Sequence, residues 1–159
     1  MGRKQEGDTA ANANKPATVQ LLSVRCGDAS PAVLVSSDTE RCLINCGEGV
    51  QRLCVEHKIK ISKVSRIALT DLSPEAVGGL PGLLLTSADM GVRQRTLRGP
   101  AGVRAFVGAT RHFMRRDELA LDLDECCGAA GGAAGGASTA LRGGGILKVE
   151  AILLEESDA

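Results

Sequence analysis

The stretch INCGEGVQRLCVEHKIKISKVSRIALT, residues 44–70, decides the fold. Its first residues close the β-type run RCLINC, after which Gly47, Glu48 and Gly49 break the strand. The period then changes: Val50, Leu53, Cys54 and His57 fall at i, i+3, i+4 and i+7, which is one face of a helix. Glu48 stands at the start of that helix, where the macrodipole favours a carboxylate. VSRIALT, residues 64–70, is again apolar and β-rich and predicts a buried strand. Strand, glycine turn, helix and strand in succession predict an α/β layered architecture.

Working outward, TVQLLSV (18–24) and PAVLVSS (31–37) predict two further strands, separated by the turn-rich CGDAS and SDTE. Downstream lies DLSPEAVGGLPGLLLTSADMG, residues 71–91, in which Gly78, Gly79 and Pro81 rule out one long helix. They allow a helix with Pro81 in its first turn and Gly91 just past its end. RQRTL, residues 93–97, predicts a short strand, and Gly99-Pro100 a turn. Val103, Phe106, Val107, Thr110, Phe113 and Met114 then predict a helical stripe of three turns, with both phenylalanines of the chain on it. Arg104, Arg111 and Arg115 line up away from that stripe.

The implied division is a disordered lead-in over 1–17, a domain over 18–124, a flexible Gly/Ala-rich insert over 125–145, and a final strand and tail over 146–159. ILKVEAILL supplies that last strand, and the sheet is expected to be incomplete at its carboxy end.

Composition narrows the function classes. In 159 residues, 19 Lys+Arg balance 19 Asp+Glu, so the strongly basic signature of an autonomous nucleic-acid binder is absent. Two Phe and no Trp or Tyr remove the aromatic platforms on which bases stack. Two histidines, His57 and His112, exclude a multi-histidine metal site within the chain. No run reaches the roughly 18 apolar residues of a membrane span, so no membrane partner is expected. Six cysteines without a C-x-x-C pair are read as buried thiols of a reducing compartment.

INCGEGVQRLCVEHKIKISKVSRIALT also closely resembles the tRNase Z family, in which a strand ending in Asp/Asn-Cys-Gly-Glu-Gly leads into a helix containing Gln-Arg. The likeness continues through GGLPGLLLT and SADMGVRQRTLRGPAGVRAFVGATRHFMRRDEL, and covers roughly residues 18–119 and 146–154. It implies a metallo-β-lactamase-like fold, partial in this chain. Catalytic members carry Ser/Thr-His-x-His-x-Asp-His after the second strand. The same register here reads Thr70, Asp71, Leu72, Ser73, Pro74, Glu75, Ala76, with every histidine missing. Zinc held by such a motif lowers the pKa of a bound water so that it can attack phosphorus. Asp71, Ser73 and Glu75 are a hard oxygen set suited instead to magnesium, and Ala76 offers no ligand.

The resemblance is to the amino-terminal, non-catalytic half of long-form tRNase Z. It implies precursor tRNA as substrate and a carboxy-terminal catalytic half, covalent or in trans, as partner. No cofactor is expected in this chain, with zinc in that other half. The family allows nucleus, mitochondrion, plastid or cytosol. Arg104, Arg111 and Arg115 are the candidate phosphate contacts.

Other features carry weaker expectations. Gly47–Val50 as a phosphate cradle competes with a tight structural turn, which Glu48 favours. Arg52, Lys58, Lys60 and Lys63 are either a tRNA-backbone contact or a solvated face. Ser73 is a helix cap, with Pro74 first in the helix and Glu75 in its first turn. Cys42 and Cys46, four apart, are expected on one face and in the core, and His57 as a packed histidine. The alternatives to a tRNase Z half are a free-standing pseudo-enzyme that binds a protein partner through the sheet edge left open at its carboxy end, and a magnesium hydrolase using Asp71 and Glu75.

Overall fold

The computed structural model describes residues 17–24, 29–114, 118–126, 139–140 and 150–151. Three strands come first: β1 (Thr18–Ser23), β2 (Ala32–Ser36) and β3 (Arg41–Ile44). They pair antiparallel, with a register irregularity between Leu21 and Ser23. From β3 onward the sheet is parallel. Helix α1 (Val50–Glu56) and a 3-10 turn (Ile61–Lys63) lead to β4 (Arg66–Ala68), and α2 (Pro74–Val77) and α3 (Leu80–Asp89) lead to β5 (Gln94–Pro100). Helix α4 (Val103–Thr110) leads to β6 (Ala120–Cys126), so the six strands lie in sequence order. Among the described residues no strand pairs with the outer side of β6.

One row of side chains ties the layers together. Leu34, Leu43, Ile67, Leu97 and Leu123 are successive cross-strand partners from β2 to β6. The first four are 0–2% exposed, and they share a core with Val50 and Cys54 of α1, Leu80, Leu83 and Leu84 of α3, and Val103 and Val107 of α4. Successive parallel crossovers are right-handed, which brings their helices to the same face of the sheet. The opposite face of β1 leaves Val19 and Leu21 exposed, at 69% and 60%.

The structure departs from the sequence expectations at several points. Gly99 and Pro100 are not a turn: they close β5, opposite Glu125 and Cys126 of β6. Proline is tolerated there because it occupies the strand's last position. The α4 stripe stops at Thr110, whose hydroxyl bonds the Val107 carbonyl at 2.8 Å. Met114 is still buried, but Phe113 stands 71% exposed, off the core. His57 is likewise exposed, because α1 ends at Glu56 and His57 is its C-cap. Cys42 and Cys46 do not share a face, since β3 ends at Ile44 and the strand's alternation lapses there. Cys46 enters the core, whereas Cys42 is buried outside it beside Arg66 and Glu40.

The lead-in, apart from residue 17, lies outside the described residues. So do Arg115, Arg116 and most of the 125–159 stretch, from which β7 (Thr139–Ala140) and β8 (Glu150–Ala151) form a separate antiparallel pair.

Candidate functional site

The carboxy ends of β3 and β4 meet over a cleft of about 390 Å³ lined by Pro31, Asn45, Asp71, Ser73, Glu75 and Ala76. Asn45 directly follows β3 with φ 61°, a left-handed conformation that asparagine tolerates better than most residues. Its N–H donates to the Ala68 carbonyl at 2.8 Å, and its Oδ1 accepts the Thr70 N–H at 2.9 Å. The Thr70 hydroxyl sits 3.1 Å from Asn45 Oδ1 and 3.0 Å from Asp71 Oδ2. Asp71 Oδ1 in turn accepts the Ser73 N–H at 2.7 Å. Hydrogen bonds from the Ser73 hydroxyl and N–H, with a lesser one from Thr70, hold the Asp71 carboxyl below its ordinary range against the opposing effect of burial.

Ser73 takes the N-cap position, with Pro74 first in α2 and Glu75 in its first turn, but its side chain makes no capping hydrogen bond. The capping oxygen comes instead from Asp71, two residues upstream. Ala76 is buried and acts through its backbone, its carbonyl accepting the Cys46 N–H at 2.7 Å. The Gly79 N–H donates to the Cys46 carbonyl at 2.9 Å. These bonds draw the glycine turn so close to α2 that a Cβ on Gly47 would lie 2.0 Å from the Glu75 carbonyl oxygen. Gly47 and its neighbours are thus a tight structural turn.

Sequence reasoning singled out Asp71, Ser73, Glu75 and Ala76, and the structure brings all four to this cleft. It missed Asn45, whose role depends on a distant loop and whose only signal was a tolerance for positive φ.

These residues do not fit zinc. A zinc site takes three or four nitrogen, sulfur or carboxylate ligands. Here the loop offers at most the carboxylates of Asp71 and Glu75, Ser73 brings only a hydroxyl, and the Ala76 side chain has no donor atom. Among the described residues no three or more His, Cys, Asp or Glu gather closely enough to hold a metal ion.

The buried cysteines are inert thiols. Burial pushes Cys42 up to about 11, and burial with the neighbouring Cys54 pushes Cys46 up to about 12; Cys54 is raised by burial as well. None of the three, nor the half-buried Cys126, is in a disulfide.

The basic residues divide. Arg104, at the start of α4, is tied to β6: its N–H donates to Glu125 Oε1 at 2.8 Å and its Nη2 to the Leu123 carbonyl at 2.9 Å. Arg111 follows α4, with Nε 3.5 Å from His112 Nε2. Arg115 lies outside the described residues. No described helix is long and apolar enough to cross a membrane.

A mixed six-stranded sheet with its helices packed on one face, and a cleft at the ends of its first parallel strands, defines part of a metallo-β-lactamase-type fold. Comparison with known proteins makes the family specific. Residues 20–79 match the family model described as tRNase Z endonuclease. The chain is 43% identical over 117 residues to tRNAse Z TRZ4, mitochondrial, of Arabidopsis thaliana, covering 71% of this chain and 12% of that protein. It is 40% identical over 95 residues to zinc phosphodiesterase ELAC protein 2 of Macaca fascicularis, covering 60% of this chain and 12% of that protein.

A long-form RNase Z from yeast superposes with a TM-score of 0.65 at 34% identity, covering 69% of this chain and 15% of the yeast chain. The short form of human tRNase Z gives 0.60 at 27%, covering 67% and 43%. Residues 20–79 carry a tRNase Z-type domain segment, and the relatives that match the chain at 37–43% identity include tRNase Z and zinc phosphodiesterase ELAC protein 2 proteins. The chain spans 12% of the length of each of the two curated relatives.

Proposed function

We propose that this chain acts in tRNA 3′-end processing as the non-catalytic amino-terminal part of a long-form tRNase Z. It supports the fold and positions precursor tRNA for a carboxy-terminal catalytic half, which holds the zinc. The observation that carries this is the segment Thr70–Ala76. In an otherwise tRNase Z-like scaffold it holds no histidine, and its loop is closed by hydrogen bonds among Asn45, Thr70, Asp71 and Ser73. The higher TM-score and identity with the long form than with the short form favour the same assignment. Its place is intracellular, with mitochondria among the compartments that relatives' names indicate.

Trans-complementation tests this. The purified chain, mixed with a separately expressed carboxy-terminal half of a long-form tRNase Z, is expected to raise that half's cleavage of precursor tRNA, and to cleave nothing alone with or without added zinc. Cleavage by the chain alone, abolished by a chelator, would overturn the proposal.

The protein-partner alternative has one observation behind it: β1 is an uncharged edge strand with Val19 and Leu21 exposed, whereas the β6 edge carries Asp122, Asp124 and Glu125, charges of the kind that discourage strand addition. Among the described residues, the β1 side rather than the expected carboxy-end β6 side is the edge better suited to a partner strand.

A further inference from the structure

Between His57 and Arg66 the chain reads HKIKISKVSR, three lysines, an arginine and a histidine without a carboxylate, although charges balance over the whole sequence. Arg66 is ion-paired with Glu40 at 2.6 Å, while His57, Lys58, Lys60 and Lys63 are exposed. The segment is pinned from beneath. Ile59 packs against the core, and Ile61 and Val64 are each 2% exposed. The buried Arg95 guanidinium donates to the Val64 carbonyl and, at 2.7 Å, to the Ile61 carbonyl. The Lys63 N–H bonds the Lys60 carbonyl at 3.0 Å, and positions three apart in a 3-10 turn stand on the same side. Both lysines are exposed on this pinned turn.

Lys58 is the outlier. Its φ is 55°; its N–H donates to the Val55 carbonyl at 3.1 Å, and the Ile59 N–H to the Cys54 carbonyl at 2.7 Å. Those two bonds are a Schellman ending, whose left-handed residue is ordinarily glycine. The chain does place glycine at its other helix-flanking positive-φ positions, Gly49, Gly91 and Gly102. Backbone strain at an exposed cation is accounted for by what the cation meets.

We propose that His57, Lys58, Lys60 and Lys63 form a preorganised docking surface for the phosphate backbone of structured RNA. This rests on the proposed tRNA-processing role and names where on the chain the RNA sits. It displaces the α4 arginines as the principal contact, because Arg104 is already engaged with β6. Three of the four residues are lysines and none is Phe, Tyr or Trp, so contact is to phosphates rather than to bases.

The test is a fluorescence-anisotropy titration of a labelled precursor-tRNA transcript with the full chain, between 50 and 200 mM KCl. In K58G/K60Q/K63Q the slope of log K against log salt should become shallower by about 2.7, and affinity at low salt should fall at least about tenfold. R104Q/R111Q should change both far less. K58G alone should weaken binding yet raise the melting temperature by a few degrees, a pair of opposite signs that misfolding cannot produce.

Wild-type affinity and slope in the triple variant overturn the proposal, as does a wild-type chain that binds no RNA while binding a polyglutamate peptide. Trans-complementation separates the two levels. A chain that stimulates the catalytic half, but whose RNA binding ignores the triple substitution, overturns the docking surface and leaves the broader assignment standing.

Discussion

Gly79→Ala should be among the most damaging single-methyl changes in the molecule. A Cβ there would lie 2.2 Å from the Gly47 carbonyl oxygen and 2.9 Å from its carbon, both backbone atoms. Cβ contacts below 3.0 Å essentially never occur, so the glycine turn and the start of α3 must separate by about 1 Å. That movement stretches the Gly79 N–H bond to the Cys46 carbonyl, now 2.9 Å. Overpacking of this kind costs about 1–3 kcal/mol, and a lost buried hydrogen bond about 1 kcal/mol more. The sum of about 3 kcal/mol is a large share of the roughly 5–15 kcal/mol that holds a domain folded.

Gly82→Ala is the internal control. It lies in the same helix, and its Cβ meets only Gln51 Oε1 at 3.0 Å, the end of a flexible side chain. Replacing an interior helical glycine there should be neutral or stabilising by up to about 1 kcal/mol. Urea denaturation reads both. With a slope of about 1.5 kcal/mol/M, G79A should lower the midpoint by about 2 M and G82A should leave it level or raise it. Midpoints for the two variants within about 0.3 M of each other would refute the claim that the turn and α3 are in hard backbone contact.

The remaining expectations concern single groups. The Asp71 carboxyl is held below its ordinary range by Ser73 and Thr70, so its contribution to stability is present above the unfolded value of about 3.9 and lost as pH falls through the folded one. Its exposure makes that contribution small; D71N should flatten the acid limb of a stability-versus-pH curve below about pH 4 and change little at pH 7. Cys42, Cys46 and Cys54 should resist iodoacetamide at pH 8 in the native state while Cys126 reacts, as peptide mapping would show. Because burial raises those three thiols, their neutral form favours the fold below about pH 9, and that advantage fades as pH climbs toward 12. Arg95→Ala should cost about 3 kcal/mol by orphaning the Ile61 and Val64 carbonyls and opening a void. Hydrogen exchange at the Val64 amide should accelerate with it.

What could be read in advance was whatever short-range patterns dictate. Strands β1 to β3 follow from alternation between turn-rich breaks, and α3 from Pro81 in its first turn and Gly91, at φ 76°, after its end. Strand β6 escaped although ALDLDE alternates leucine with acid, because it runs without a break into the Gly/Ala tract, and its parallel pairing with β5 is a long-range contact that no local period announces. The same pairing turned Gly99-Pro100 from an expected turn into strand. Phe113 was assigned to the core by continuing a helical period past the point where the backbone leaves the helix. Arg95 was unreadable for a different reason. A charged residue within a short strand gives no sign that two carbonyls, more than thirty residues earlier in the chain, will meet it. At the site, sequence singled out the loop at 70–76, which lines the cleft, but its geometry is set by Asn45, a partner just past β3.

That partner explains how the loop keeps its shape on the proposed non-catalytic assignment. In a metal centre, coordination bonds fix loops that would otherwise be mobile, and the binding energy of the ion is spent on their order. Here Thr70–Ser73 is fixed by Asn45 Oδ1 on one side and by the two Asp71 oxygens on the other, each accepting groups that the loop itself would leave unsatisfied. Exposed hydrogen bonds contribute only about 1 kcal/mol apiece, far less than a structural metal. The scaffold beneath must therefore supply most of the order, and it does so through the Cys46–Ala76 and Cys46–Gly79 backbone bonds and the hard contact at Gly47. Restoring histidines at 71, 73 and 76 would then recreate a motif without a matching loop, because a histidine at 71 loses the Asp71 cap and one at 76 must leave the buried site beneath β3. The triple variant should be destabilised and should gain no thermal protection from zinc. A zinc-dependent rise in its melting temperature would mean that the loop, rather than the missing imidazoles, had been judged wrongly.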